Sequence, residues 1–181
     1  GVAVDAVVGL SHTRAGADMA KALGGAGRRR FGYVGCGLHR DTRAAKRRSG
    51  FVAALNEHGH SLVAEAQTDE PSTVFEGRRL TADLLAQHPD LDCIYFSNDD
   101  VAMGGVFHCI AHAISVPDQV MLSGFNGLDF VDSLPVKIAT SRTERREIGR
   151  RAIEVIVNDQ RSNSGENLVI DLPPTIDLGL P

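Results

Sequence analysis

Basic side chains cluster at the starts of two amphipathic segments, and they carry the clearest chemical signal in the sequence. The clusters are Arg40, Arg43, Lys46, Arg47 and Arg48, and then Arg142, Arg145 and Arg146. Because a helix N-terminus already carries partial positive charge, cations there are unfavourable unless something negative faces them. A ligand anion or a carboxylate across a cleft would serve. We therefore expect an anionic or polyol ligand near these helix starts, with ordinary solvated surface charge as the alternative.

The other reactive side chains give little support to an enzyme. Asp99, Asp100 and Asp129 could act as catalytic carboxylates, but they have no activated nucleophile, no base with an orienting partner and no cofactor loop beside them in the sequence. Gly24–Gly27 follows a helical segment and precedes a strand, which is the reverse of the order in a phosphate-binding loop. We expect no enzymatic activity and no cofactor.

Histidines and cysteines do not form a metal-binding pattern. His108 and His112 lie four residues apart without a third ligand at metal-site spacing, so a solvated or partly buried pair is the better interpretation. Cys36, Cys93 and Cys109 are far apart and lie in apolar runs, which is typical of buried reduced thiols. We expect no metal site, no disulfide framework and a reducing cytoplasm.

Length and charge limit the class of protein. The chain has 181 residues, 43% of them hydrophobic, and a net charge of −4. This length suits one α/β domain or two small ones, and the net charge argues against a nucleic-acid surface on this chain. No apolar run approaches the ~20 residues that span a bilayer, so we expect no membrane partner.

Short apolar runs alternate with amphipathic segments along the chain. The predicted strands are Val4–Leu10, Phe31–Gly35, Ser61–Ala66, Leu91–Ser97, Val120–Gly124, Lys137–Thr140 and Asn167–Leu172. The predicted helices are Ala15–Leu23, Arg43–His58, Ser72–His88, Asp99–Ile114 and Thr143–Asp159, with Ser72 as an N-cap and Gly59 as a C-cap. This alternation predicts an α/β fold with a doubly wound parallel sheet. Ligands bind beyond the carboxyl ends of the strands in such sheets.

Five segments, in this order along the chain, resemble motifs of the lactose-repressor (LacI/GalR) family of transcriptional regulators. They are Gly27–Gly35 (GRRRFGYVG), Arg47–Leu55 (RRSGFVAAL), Ser97–Gly104 (SNDDVAMG), Val116–Asn126 (VPDQVMLSGFN) and Glu147–Ala152 (EIGRRA). The resemblance implies the periplasmic-binding-protein-like type I fold, mostly its C-terminal half-domain. A shorter likeness, in Gly124–Asp129, around Arg145 and in Ile176–Gly179, is to the gluconate-operon repressors, whose effector is a sugar acid or its phosphate.

The resemblance also implies an effector site. Arg47 matches the RxxG arginine that hydrogen-bonds the effector, and Asn98 matches the asparagine of the NDxxAxG motif. Asn126 replaces the aspartate with which most members bind sugar hydroxyls, and this loss of charge suits an anionic effector. Arg145 replaces an apolar or aromatic residue and could pair with a carboxylate through two hydrogen bonds. The expected effector contacts are Arg47, Asn98, Asn126, Arg145, Arg43, Ser11 and Ser72.

Family members are homodimers and contain segments that this sequence lacks. The expected dimer contacts are Val101, Gly105, Val106 and Ile110, although packing of this helix face on the sheet is an equal alternative. We expect 11–140 and 163–181 to form the C-terminal subdomain and 141–162 to be a helix of the N-terminal subdomain. The DNA-binding headpiece and the rest of the N-terminal half are absent, so we expect a part of a longer protein that reaches operator DNA only through that headpiece.

These inferences combine into one functional hypothesis. The chain is expected to be the effector-binding and dimerisation portion of a cytoplasmic LacI-type repressor that senses a gluconate-like sugar acid and thereby controls operator binding allosterically. A periplasmic sugar-binding protein of the same fold is the alternative. An N-terminal signal peptide in the intact protein would favour the alternative, and a helix-turn-helix would favour the repressor.

Overall fold

A four-stranded parallel sheet forms the centre of the molecule, with the strand order β3-β2-β4-β5. The computed structural model describes residues 6–157 and 168–180. The strands are β1 (Ala6–Gly9), β2 (Phe31–Cys36), β3 (Leu62–Thr68), β4 (Cys93–Phe96), β5 (Met121–Ser123), β6 (Thr140–Arg142), β7 (Leu168–Asp171) and β8 (Thr175–Asp177). The helices are α1 (His12–Gly25), α2 (Thr42–Glu57), α3 (Val74–Gln87), α4 (Asp99–Ala111) and α5 (Arg145–Val157), with a short 3-10 helix at Asp129–Ser133.

Helices cover both faces of the central sheet. Successive residues of a strand point to opposite faces, and the buried residues accordingly separate into two apolar clusters. Tyr33 and Tyr95 pack in the cluster that contains the buried side chains of α1 and α2. Val34 and Phe96 pack in the cluster that contains those of α3 and α4. The predicted doubly wound α/β fold is confirmed.

Four further strands lie outside the central sheet. β1 pairs in parallel with β7, and β6 pairs antiparallel with β8. The helix α5 contacts β1. Within the segment 163–181, which was expected to lie with the C-terminal half, Leu168–Asp171 pairs with β1 and Thr175–Asp177 pairs with β6. The division into half-domains stays a prediction.

Glycines bring the helices on each face into backbone contact. A Cβ atom at Gly16 of α1 would overlap the carbonyl oxygen of Arg47, and one at Gly50 of α2 would overlap that of Thr13. On the other face, a Cβ atom at Gly104 of α4 would overlap the backbone of α3. Gly50 and Gly104 are the glycines of the RxxG and NDxxAxG motifs, so both motifs fix a close helix pair as well as supplying a polar residue.

Several local predictions are refined by the structure. Ser72 is not the N-cap of α3, because the hydroxyl of Thr73 accepts the Glu76 amide at 3.2 Å. Gly59 has φ +75° just beyond α2, as expected of a left-handed C-cap. The strand predicted at 137–140 begins three residues later, at Thr140, and ends at Arg142; neither β8 nor the 3-10 helix was predicted. The predicted boundaries at Val4, Asp159 and Asn167, and the residues 161–165, lie outside the described residues.

The expected dimer contacts are mostly internal. Val101 and Val106 have no exposed surface, and Gly105 packs against the ring of Phe96, where a Cβ atom would meet ring carbons. Their assignment to an interface is corrected, because these positions face the sheet and belong to the core. Of these four expected contacts, Ile110 is the one that faces outward, with 47% of its surface exposed.

Two expectations from composition can be compared with the structure. Cys36, Cys93 and Cys109 are free and buried, and burial raises the pKa of the Cys36 thiol to about 11. They therefore behave as apolar core residues. Among residues 6–157 and 168–180, no helix has both the length and the apolar character needed to cross a membrane.

Candidate functional site

Arg47 is buried at the carboxyl edge of the central sheet although its side chain is charged. Only 5% of its surface is exposed. Its Nη2 donates to the carbonyl oxygen of Ser97, just beyond β4, at 2.7 Å. Its guanidinium carbon lies 3.9 Å from the centre of the Phe125 ring, a cation–π contact that is stronger away from water. Arg47 is thus fixed between the ends of two neighbouring strands.

His12 is the second residue of this cluster. It is the first residue of α1, and its Nδ1 lies 3.1 Å from Nη1 of Arg47. The imidazole also lies against Phe125, with ring centroids 5.9 Å apart. Burial, followed by the positive charges of Arg47 and Arg43, lowers the pKa of His12 to about 4. His12 is therefore a neutral side chain at physiological pH.

Asn98 and Asp99 close the end of β4. The side-chain oxygen of Asn98 accepts the Val101 amide at 3.0 Å and caps α4. Asp99 has no exposed surface; its carboxylate accepts the Thr140 hydroxyl at 2.8 Å and the Leu128 amide at 2.9 Å. Burial raises the pKa of Asp99, and these two hydrogen bonds oppose that rise. Asp99 thereby ties the loop after β5 to β6, and Asn98 keeps its amide nitrogen for other contacts.

Asn126 occupies an unusual backbone conformation in that loop. Its φ is +121°, a region that side chains other than glycine rarely adopt. Its amide donates to the Ser141 carbonyl at 3.1 Å, and its carbonyl accepts the amide and the hydroxyl of Thr143. These backbone bonds fix the direction of the Asn126 side chain without using the side chain itself.

Two other expected contacts line a neighbouring cavity. Arg43 and Ser72 border a space of about 340 Å³ together with Cys36, Asp41 and Asp69. Arg47, Asn98 and Asn126 do not line it. Ser11 is the N-cap of α1, where its hydroxyl accepts the Arg14 amide at 3.3 Å. Of the expected residues, Arg43 and Ser72 therefore lie at a cavity that Arg47, Asn98 and Asn126 do not line.

Carboxylates of the chain itself neutralise part of the basic clusters. Arg48 pairs with Glu65 at 2.6 Å. Arg142 pairs with Asp177 at 2.8 Å and also with Asp132. Arg43 is exposed, with its Nε 3.8 Å from the Asp41 carboxylate, and Arg145 is exposed at the start of α5. Arg48 and Arg142 thus face carboxylates of the chain itself, which is one of the two kinds of negative partner expected for these clusters.

The sequence did not assign two residues of this edge to the effector site. His12 and Phe125 lie against Arg47 on two sides. His12 follows a predicted strand closely, where ligand contacts are expected, and Phe125 lies within the Val116–Asn126 motif. Neither stands at a motif position to which the resemblance assigns an effector contact.

Comparison with known proteins places this geometry in a family. The model of the periplasmic binding protein-like domain matches residues 20–178. The HTH-type transcriptional regulator GntR of Pseudomonas aeruginosa is 38% identical over 151 residues, which are 83% of this chain and 43% of that protein. The chain belongs to the LacI/GalR family. Within it, the chain is an effector-binding domain of the periplasmic-binding-protein-like fold, near the gluconate repressors.

Other LacI/GalR proteins support the same assignment. The regulator IdnR of Escherichia coli is 30% identical, over 95% of this chain and 51% of its own length. The crystal structure of a LacI-family transcriptional regulator from Silicibacter pomeroyi has a TM-score of 0.88 and 39% identity, and the match covers 98% of this chain and 54% of that chain. This LacI/GalR chain therefore spans about half the length of the curated relatives that it matches.

Proposed function

We propose that this chain is the effector-binding part of a LacI-type repressor and that its effector is a gluconate-like sugar acid. The observation that carries the proposal is that a fixed guanidinium and a neutral amide side chain belong to neighbouring positions of the same sheet edge. Arg47 covers the ring of Phe125, and Asn126 is the next residue in the chain. An anion that approaches this edge meets a buried positive charge and no carboxylate at position 126.

The surrounding charges support an acidic effector. Arg43 lines the neighbouring cavity and Arg145 begins α5, and both are exposed. The buried carboxylate of Asp99 follows Asn98 in the chain. Its two oxygens accept the Thr140 hydroxyl and the Leu128 amide, so they are occupied by protein donors. A planar guanidinium can bind a carboxylate through two parallel hydrogen bonds. Neutral side chains such as Asn98 and Asn126 suit the hydroxyl groups of a sugar acid.

Regulation would follow from closure of a second half-domain over this edge. The effector would favour one relative angle of the halves, and that angle would set the operator affinity of a DNA-binding headpiece outside this sequence. The small unit of β1, β7 and α5 supports this arrangement, because it leaves Ile153, Ile156 and Val169 more than 60% exposed. A cytoplasmic location fits such a regulator.

Calorimetric titration of the intact protein tests the proposed effector. D-Gluconate, gluconate 6-phosphate and the neutral sugar glucose are titrated under identical conditions. We expect at least one of the acids to bind at least about tenfold more tightly than glucose, since a charge-assisted hydrogen bond is worth about 1.5–3 kcal/mol. Tighter binding of glucose than of either acid overturns the anionic effector.

We further propose that the protein is a homodimer that uses the outer face of α4. Phe107 and Ile110 are 41% and 47% exposed and lie three residues apart on that helix. Substitution Ile110→Lys is expected to shift sedimentation of the intact protein toward the monomer, while Lys21→Glu, on the exposed surface of α1, leaves it unchanged. An unchanged dimer in Ile110→Lys contradicts this interface.

The periplasmic sugar-binding alternative is less well supported, because the relatives compared above are named as transcriptional regulators. Sequencing of the residues that precede Gly1 in the intact protein separates the two functions. A helix-turn-helix there supports a repressor, and a signal peptide supports the periplasmic protein.

A further inference from the structure

His12 forms a contact with Arg47 that determines which of its ring nitrogens carries a proton. An arginine guanidinium can only donate hydrogen bonds and stays protonated in proteins. Nη1 of Arg47 lies 3.1 Å from Nδ1 of His12, so Nδ1 must be the acceptor. A neutral imidazole has one proton, and in His12 that proton is therefore on Nε2.

The surroundings of His12 keep it in this neutral form. Arg47 and Arg43 place positive charge beside the ring, and Asp41 is the one carboxylate that opposes them, with Lys46 adding a smaller positive effect. Burial acts in the same direction as the arginines, and the pKa of His12 falls to about 4. At pH 6–8 the side chain is a neutral donor with a fixed tautomer.

The Nε2–H group faces away from Arg47. The two nitrogens of an imidazole lie on different sides of the ring, and Nδ1 is occupied by the guanidinium. Among residues 6–157 and 168–180, no side chain or carbonyl bonds to Nε2, and the His12 side chain is half-buried rather than enclosed. The imidazole ring also contacts the tilted ring of Phe125, with the ring centroids 5.9 Å apart. The donor is thus preoriented, accessible and without a protein partner.

We propose that His12 is a specificity-determining residue whose Nε2–H donates to an acceptor oxygen of the effector, beside the positive charge of Arg47. This inference rests on the proposed function, because it names a contact in the same site. A fixed donor next to a guanidinium selects ligands that present acceptor oxygens there, and it disfavours ligands that present a hydrogen-bond donor or a cation at that point. It assigns to His12 a role in recognition beyond that of positioning Arg47.

Two substitutions separate recognition from positioning. In His12→Asn, the side-chain oxygen lies near the former Nδ1 and can still accept from Arg47, but no donor reaches the Nε2 position. In His12→Gln, the longer side chain carries an amide nitrogen near the Nε2 position. In calorimetric titrations of the intact protein with D-gluconate, we expect His12→Asn to bind about tenfold or more weakly, and His12→Gln to bind more tightly than His12→Asn.

Nuclear magnetic resonance measures the tautomer directly. Long-range proton–nitrogen spectra of the intact protein, with the His12 signals assigned from the His12→Asn variant, are expected to show an unprotonated Nδ1 and a protonated Nε2 at pH 7. Addition of D-gluconate is expected to shift the Nε2 signal. A proton on Nδ1, or an Nε2 signal that gluconate leaves unchanged, overturns the proposal.

The outcomes distinguish this inference from the function on which it rests. Equal gluconate affinities of the wild type and His12→Asn overturn the His12 contact and leave the proposed function intact. Failure of the wild type to bind any sugar acid overturns the proposed function together with the contact. Circular dichroism of each variant shows whether a loss of binding reflects unfolding instead, and His12→Gln then supplies the second comparison.

Discussion

The guanidinium of Arg47 lies over Phe125, with its central carbon 3.9 Å from the ring centre. This contact joins two segments that are far apart in sequence, the RxxG segment and the loop after β5. It explains why the loop residue Phe125, only 2% exposed, is buried although it lies beyond the strand. The same contact predicts how a conservative substitution will act.

Substitution Arg47→Lys is expected to weaken binding of D-gluconate by about 10- to 100-fold. An ammonium group cannot reproduce the cation–π contact of the guanidinium with Phe125, and it cannot hold the Ser97 carbonyl and a carboxylate together in the same geometry. Calorimetric titration of the intact protein measures the change. The matched control is Arg48→Lys, which alters the ion pair with Glu65 and the contact with the Tyr33 ring and should stay within about twofold of the wild type. Wild-type affinity in Arg47→Lys would contradict an effector contact.

Asn126→Asp restores the charge that most relatives carry at this position. The two side chains have the same shape, and aspartate also tolerates positive φ better than most residues, so the fold should be retained. We expect gluconate to bind about tenfold more weakly, because a carboxylate is brought near the acid, while glucose binding is unchanged or improved. Titration with both ligands measures this exchange of preference. A uniform loss for both would indicate a structural defect.

Gly50→Ala is expected to destabilise the protein by about 2 kcal/mol or more, because the new Cβ atom overlaps the Thr13 carbonyl. Gly149→Ala is the control. Its Cβ atom meets no heavy atom within 4 Å, and alanine favours a helix interior by up to about 1 kcal/mol. Urea unfolding of the intact protein should therefore show a lower free energy of unfolding for Gly50→Ala and a higher one for Gly149→Ala. A Gly50→Ala variant as stable as the wild type would contradict close packing of α1 and α2.

The lowered pKa of His12 predicts a dependence of stability on pH. Its pKa falls from 6.5 to about 4 on folding, so between these values the unfolded chain binds more protons than the folded one. The free energy of unfolding then rises with pH across this interval: the contribution is present above pH 6.5 and is lost as the pH falls toward 4. Comparison of urea unfolding at several pH values should show a steeper decline in the wild type than in His12→Asn. Parallel curves would place the pKa of His12 near its usual value.

The fold could be predicted because its determinants are local. Runs such as Phe31–Cys36 are buried on both faces, and a parallel strand covered by helices requires an apolar run of this kind. The segments missed were short or polar. β8 has three residues and an aspartate at its end, and its pairing with β6 depends on a chain segment more than thirty residues away. No periodicity can reveal such a partner.

The site was predicted in part. The RxxG motif singled out Arg47, and the structure places its side chain at the carboxyl edge of the sheet; its contact with an effector stays a prediction. The role of His12 depends on a donor 35 residues away, so spacing gave no indication of it. The interface expectation for Val101 and Val106 was wrong because α4 carries apolar side chains on both its inner and its outer side. Its sequence therefore marks neither side as the buried one, and only the packed structure distinguishes them.

The backbone contacts at Gly16 and Gly50 also bear on redesign of this protein. They lock the helix that carries His12 to the helix that carries Arg47, so the spacing of these two side chains does not depend on the loops. Asn126 and Ser72, by contrast, stand on separate loops. We therefore expect that ligand preference can be changed at the loop positions while the contact between His12 and Arg47 stays in place, which makes this effector-binding domain a suitable starting point for sensors of new ligands.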